Sequence, residues 1–154
     1  GFYFESAIDY EAKSTMHFDR FGNLVEEFEI HFIDGDDAQL FDACDIDQSN
    51  INVWFEDIEF LHDYTKIGLY YLVGVAGYSL EQALNKLDEP CIYEGGILEA
   101  ATEVFDECWL PSIPDSVRFY VDYEKFARDC QMGGDMVEFE YKNETFTCTN
   151  AAEV

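Results

Sequence analysis

The chain has 154 residues, of which 34 are Asp or Glu and only 8 are Lys or Arg, for a formal charge of −26. Hydrophobic residues make up 48% and aromatics 17%, so a core can form, whereas disordered acidic segments are poor in aromatics. A surface this acidic repels phosphates and excludes direct nucleic-acid binding, which needs clustered Lys and Arg.

In chain order, Ser6 opens "SAID", a capping-box pattern with Asp9, and predicts a helix over 7–20 that ends at Gly22. In "VEEFEIHFI" (25–33), Phe28, Ile30 and Phe32 alternate with Glu27, Glu29 and His31, which predicts a strand with one acidic face. "DG" at 34–35 is a turn, and "DDAQLFDAC" is a short helix with Asp36 and Asp37 at its start. Ser49 is expected to cap the next helix, whose inner stripe is Ile51, Phe55, Ile58 and Leu61.

Residues 67–76 are the longest apolar run, well short of the roughly 20 residues that span a bilayer, and read as a buried helix. Ser79 and Gln82 cap a helix carrying Leu80, Ala83, Leu84 and Leu87, and "CIYEGG" (91–96) is a short strand and turn. "ILEAATEVFDECW" (97–109) is helical, with Leu98, Ala101, Val104, Phe105 and Cys108 on its inner face. "LPSIPDS" (110–116) marks a boundary, one or two helices follow, and "MVEFEYKNETFTCTN" (136–150) is a terminal hairpin. The fold class is therefore α+β, in three small modules: 1–62, 63–110 and 111–154. The first residue is Gly1, not Met, so the first module is read as trimmed or as lacking an initial strand.

Little in the chain points to catalysis. His17, His31 and His62 are isolated and read as surface or packing residues, and no HExxH, GxSxG or P-loop occurs. "DIDQSNINVWFE" (45–56) imitates a calcium loop through Asp45, Asp47, Ser49 and Glu56, but Asn50 replaces the Gly of the sixth position. In so acidic a chain the match arises by chance, and neither metal nor cofactor is expected. Five cysteines, at 44, 91, 108, 130 and 148, are odd in number and widely spaced; they read as mostly buried thiols in a reducing cytoplasm.

The acids themselves are the strongest signal. Thirteen fall within 25–64, and no Lys or Arg occurs from 21 to 65. Duplex DNA carries about one negative charge per 1.7 Å of axis. Carboxylates three or four residues apart on a helix are about 5–6 Å apart, so acidic ridges on several short helices approach a similar density. The sharper reading is charge mimicry; the bland one is solubility or a salt-adapted host.

Residues 113–141, "IPDSVRFYVDYEKFARDCQMGGDMVEFEY", resemble the C-terminal signature of the ArdA antirestriction family, with the core "YVDYEKFARD" at 120–129. Residues 76–111 are similar to its central module, and "MHFDRFGN" with "EEFEI" agrees in character with its N-terminal part. The resemblance implies an elongated chain of three small domains, carried by mobile genetic elements, that imitates bent DNA in a bacterial host. It implies occupation of the DNA groove of Type I restriction–modification enzymes, dimerisation through the C-terminal module, and no enzymatic activity. It places the antirestriction segment on Glu99, Glu103, Asp106, Glu107 and the neighbouring Trp109. The expected phosphate mimics are these four with Glu27, Glu29, Asp34, Asp36, Asp37, Asp42, Asp45, Asp47, Glu56, Asp57, Glu59, Asp63 and Glu94. Val137, Phe139, Tyr141 and Phe146 are expected to dimerise, because a two-stranded ribbon cannot cover that much apolar surface alone. The alternatives are an acidic inhibitor of another DNA-groove complex, such as a CRISPR effector, a BREX-type system or a nucleoid protein, and a small metal-binding or hydrolytic protein.

Overall fold

The structure, a computed structural model, describes residues 1–154. Its chain divides into two compact units, Gly1–His62 and Asp63–Val154. Helices dominate both, and a three-stranded antiparallel sheet carries the C-terminal strands, so the class is α+β.

Unit 1 begins with helix α1 (Ala7–Ser14), where the Ser6 hydroxyl accepts from the Asp9 N–H. The helix is shorter than the predicted 7–20 because Thr15 turns back: its hydroxyl donates to the Glu11 carbonyl, and Asp19 then gathers the N–H groups of Phe21 and Asn23. Gly22, at φ 84°, closes that Asp19–Asn23 turn instead of ending the helix. Helix α2 (Ala38–Ala43) and helix α3 (Ile51–Val53, continuing as a π-helical turn over Trp54–Ile58) supply the core. Leu40, Phe41, Cys44, Ile46, Ile51, Trp54 and Ile58 are buried there. The Phe41 and Trp54 rings meet edge to face at 4.9 Å. Trp54, not Phe55, joins Ile51 and Ile58 on the inner stripe.

Two predicted features of unit 1 need correction. Residues 25–33 form no strand ladder. Their alternation is real, with Phe28, Ile30 and Phe32 half-buried and Glu27, Glu29 and His31 exposed, but no neighbouring strand lies alongside. The Gln48 side chain stands in for one, accepting from the Phe28 N–H at 2.8 Å and donating to the Glu26 carbonyl at 3.4 Å. Ser49 caps nothing: its N–H and hydroxyl both donate to Asp47, and Asn50 occupies the cap position. The Ser49 hydroxyl and N–H hold the Asp47 carboxyl below the usual carboxylate range.

Unit 2 opens with helix α4 (Asp63–Tyr70), which runs into a second π-helical turn over Tyr71–Val75. Helix α5 (Leu80–Leu84) has the predicted capping box: the Ser79 hydroxyl accepts from the Gln82 N–H, and the Gln82 side chain accepts from the Ser79 N–H. Strand β1 (Ile92–Glu94), helix α6 (Ile97–Cys108), helix α7 (Tyr123–Gly133) and the hairpin β2 (Val137–Tyr141) and β3 (Glu144–Cys148) complete it. The hairpin turn places Lys142 and Asn143 at φ 50° and 62°, the left-handed pair of a tight turn that matches strand twist. The sheet order is β1-β3-β2, with Ile92 and Val137 both opposite Cys148. Strand β1, from residues 63–110, and the hairpin, from 111–154, thus share one sheet inside unit 2. Helices α6 and α7 meet through Ala101, Ala127 and Cys130, small side chains that let the backbones approach, with Met136 beneath.

Three of the four expected dimerisation residues belong to this core. Phe139, Tyr141 and Phe146 are 7%, 3% and 4% exposed. The aromatic rings of helix α4 and its π turn cover them: Tyr70 lies 4.8 Å from Tyr141, and Tyr71 lies 5.4 Å from Phe139. Val137 is half-buried. The hairpin is not a bare ribbon, because the third strand and these tyrosines supply the cover expected from a second copy. On α6, Leu98 and Cys108 are exposed, whereas Ala100 joins Ala101 in the buried face.

Cys44, Cys130 and Cys148 are buried, and Cys91 and Cys108 are exposed. Burial pushes the Cys44 thiol up to about 12, so it stays protonated and unreactive at neutral pH. A thiol reagent added to the folded protein at mildly alkaline pH is expected to label Cys91 and Cys108 quickly and the other three only after unfolding. Rapid labelling of Cys44 would contradict this packing.

Candidate functional site

Unit 1 spreads its predicted carboxylates along successive connections. Glu27 and Glu29 lie on the half-buried 25–33 segment, Asp34 and Asp36 in the turn after it, and Asp37 at the start of α2. Asp42 sits on α2, Asp45 and Asp47 in the α2–α3 connection, Glu56 and Asp57 on the π turn that ends α3, and Glu59 just after it. All are exposed except Asp37 and Glu59, which are half-buried. Asp45 takes φ 50°, a left-handed conformation that Asp tolerates better than most residues.

Unit 2 holds Asp63 at the first position of α4, Glu94 at the end of β1, and Glu99, Glu103, Asp106 and Glu107 on α6, all exposed. On the twelve residues of α6, Glu99, Glu103, Asp106 and Glu107 follow the i,i+4 and i,i+3 steps that put side chains about 5–6 Å apart on one flank. Asp106 and Glu107 stand in the last turn, which carries no base. Negative charge there opposes the helix dipole, so these two acids are placed against the helix's own stability.

Neighbouring groups fix this ridge. The Tyr123 hydroxyl donates to Asp106 at 2.5 Å, and that bond raises the tyrosine's own pKa. Tyr93 is also pushed up, first by burial and then by Glu103. Glu138, absent from the sequence-derived set, accepts from the Ile97 N–H at 2.8 Å and so caps α6. Its carboxylate and that of Glu99 converge on Gly96, where an added Cβ would come within 3.1 and 2.9 Å of them. The signal for Glu138 lay in the period-two pattern of the hairpin, whose outer face it shares with Glu140. Glu138→Ala is expected to cost about 1 kcal/mol in denaturant unfolding, through loss of this cap; an unchanged midpoint would show the cap to be inert.

Four ion pairs of Lys and Arg are made with carboxylates outside the predicted set: Lys13–Asp9 at 2.8 Å, Lys86–Glu89 at 2.6 Å, Arg118–Asp115 at 3.1 Å and Lys125–Asp129 at 2.6 Å. All are local pairs three or four residues apart. Among the seventeen predicted acids, Glu29 meets the imidazole of His31 at 3.5 Å. His17 packs between the rings of Phe2 and Phe28, at 5.4 and 5.8 Å, as a packing residue.

The arrangement is a series of exposed carboxylates on short elements. A family model, "Antirestriction protein (ArdA)", matches residues 3–144. The chain belongs to the ArdA family of antirestriction proteins. That family comprises inhibitors of restriction enzymes, not enzymes, and its partners are restriction–modification systems. No curated protein and no solved structure matches the chain. In this ArdA member no helix is long and apolar enough to cross a membrane.

Proposed function

We propose that this protein inhibits by imitating duplex DNA, occupying the DNA-binding groove of a Type I restriction–modification enzyme in the bacterial cytoplasm. The reading is carried by one observation: fifteen of the seventeen predicted carboxylates are exposed, in a chain without a Lys or Arg from 21 to 65. Such charges have their complement on another molecule. A groove built for phosphates supplies it, in the form of Lys and Arg arranged along a duplex. Binding then needs no catalytic group and no cofactor.

A competition assay tests this. Labelled duplex DNA bound to a Type I methyltransferase complex should be displaced as the protein is added, with no binding of the protein to DNA itself. A ternary complex of enzyme, DNA and protein would sink the mimicry reading.

The active species is a homodimer through residues 111–154. With the hairpin's apolar face covered, the support comes from Val117, Phe119, Tyr120 and Met132, which are 44%, 98%, 84% and 81% exposed. Three of the eight bases, Arg118, Lys125 and Arg128, lie in the same part of the chain, so two copies meet there with the least repulsion. Sedimentation at micromolar concentration and moderate salt should give a dimer, and Phe119→Glu should give a monomer. A monomeric parent protein would overturn the assignment.

A further inference from the structure

We propose that Tyr123 is a positioning residue for the α6 ridge: its uncharged hydroxyl fixes the Asp106 carboxylate for a Lys or Arg of the target and leaves the negative charge intact. The proposal rests on the mimicry reading, and it separates the side chain that positions from the side chain that mimics. It also gives the segment "YVDYEKFARD" (120–129) a task, although that segment holds none of the seventeen predicted acids.

Local structure aims the hydroxyl. Asp122 caps α7 by accepting from the Lys125 N–H at 2.9 Å, which sets Tyr123 at the first helical position. The Tyr123 ring meets Phe105 edge to face at 5.4 Å, and Phe105 meets Phe126 in the same way at 5.1 Å. Phe105 is the residue before Asp106, so the ring contact and the hydroxyl bond act on adjacent positions of α6. The hydroxyl donates to Asp106 Oδ1 at 2.5 Å, and Oδ2 is left as the acceptor for a partner. Tyr123 is half-buried and Asp106 is exposed, so the donor comes from the protein side and the acid faces outward. The chemistry of the donor matters as much as its place. A Lys or Arg at 123 would hold the acid but cancel the charge that the mimic presents. The bond to Asp106 raises the Tyr123 pKa, so the group stays a protonated donor at neutral pH. An exposed carboxylate without such a bond turns among rotamers and gives up that freedom when a partner binds. Tyr123 removes that cost before the target arrives.

Tyr123→Phe tests this, because it keeps the ring and removes only the hydroxyl. Affinity for a Type I methyltransferase complex should fall about twofold to fivefold, no more than loss of a whole solvated carboxylate would give. The slope of log affinity against log salt should stay at the parent's value, since no charge is removed. Side-chain NMR supplies a second readout. The two Hα–Hβ couplings of Asp106 should differ, as in one rotamer, in the parent protein and converge on averaged values in Tyr123→Phe. Averaged couplings in the parent would overturn the proposal without any variant. The Asp106→Asn background separates positioning from a merely structural bond between α6 and α7. An amide at 106 still accepts from Tyr123 but carries no charge, so Tyr123→Phe should cost no further affinity there. An equal loss in both backgrounds would mean that the bond only pins the helices, and it would overturn the proposal. Equal displacement of DNA by the parent and by Tyr123→Phe refutes the positioning and spares the mimicry. A target that binds the parent and DNA together refutes the mimicry, and the positioning with it.

Discussion

Replacing Glu99, Glu103, Asp106 and Glu107 together by their amides should weaken inhibition by about thirtyfold to a thousandfold and leave the protein folded. Each carboxylate at a solvated contact is worth about 1 kcal/mol or less. Four losses along one ridge therefore sum to about 2–4 kcal/mol, at 1.4 kcal/mol per factor of ten. Single changes such as Asp37→Asn, Asp57→Asn or Glu103→Gln should each move inhibition by less than about tenfold. The fold should gain slightly. Asp106 and Glu107 oppose the dipole of α6, and an amide at position 106 still accepts from Tyr123. Lower self-repulsion adds to that gain. Inhibition titrations and thermal melts on the same samples separate the two effects. If one conservative carboxylate change abolished inhibition in a folded protein, an active site or metal site would be indicated, and Asp45, Asp47 and Glu56 would be the first to revisit.

Trp54→Ala should cost about 3–5 kcal/mol. Trp54 is 2% exposed and braces Phe41 and Phe32, at 4.9 and 5.8 Å. Unit 1 has only 62 residues, and a core that small has little stability to spare. The expected result is loss of cooperative unfolding in unit 1, with protected amides retained in the β1-β3-β2 sheet of unit 2. Inhibition should fall as well, because the unit 1 carboxylates lose their fixed positions. A stability loss below about 1 kcal/mol would mean that the two rings are not the centre of that core.

The features legible in the sequence are those decided within a few residues. The Ser6 and Ser79 caps, the span of α6 and the tight turn of the hairpin depend on local hydrogen bonds and φ preferences, which neighbouring residues reveal. The acidic faces were legible too, since period alone assigns a side chain to water. What pairs with what was not. The alternation of 25–33 has the burial of a strand, yet pairing needs a partner strand that no local pattern supplies. The apolar face of the hairpin looked bare because Tyr70 and Tyr71, which cover it, lie far away in the chain. Glu138 was missed for the same reason: its role depends on the N-terminus of α6, 41 residues earlier. The π turns after Val53 and Tyr70 shift the buried stripe to Trp54 and Tyr71 and carry no sequence pattern that sets them apart from ordinary helix.

The most direct test of charge mimicry is the salt dependence of binding to the target enzyme. Association of a polyanion mimic with a phosphate-binding groove releases ions from both surfaces, so log K should fall linearly and steeply with log salt. The account predicts a slope similar to that of duplex DNA on the same enzyme, and a shallower slope for the variant with the α6 ridge neutralised. An affinity that stays nearly flat from low to high salt, while inhibition persists, would contradict it.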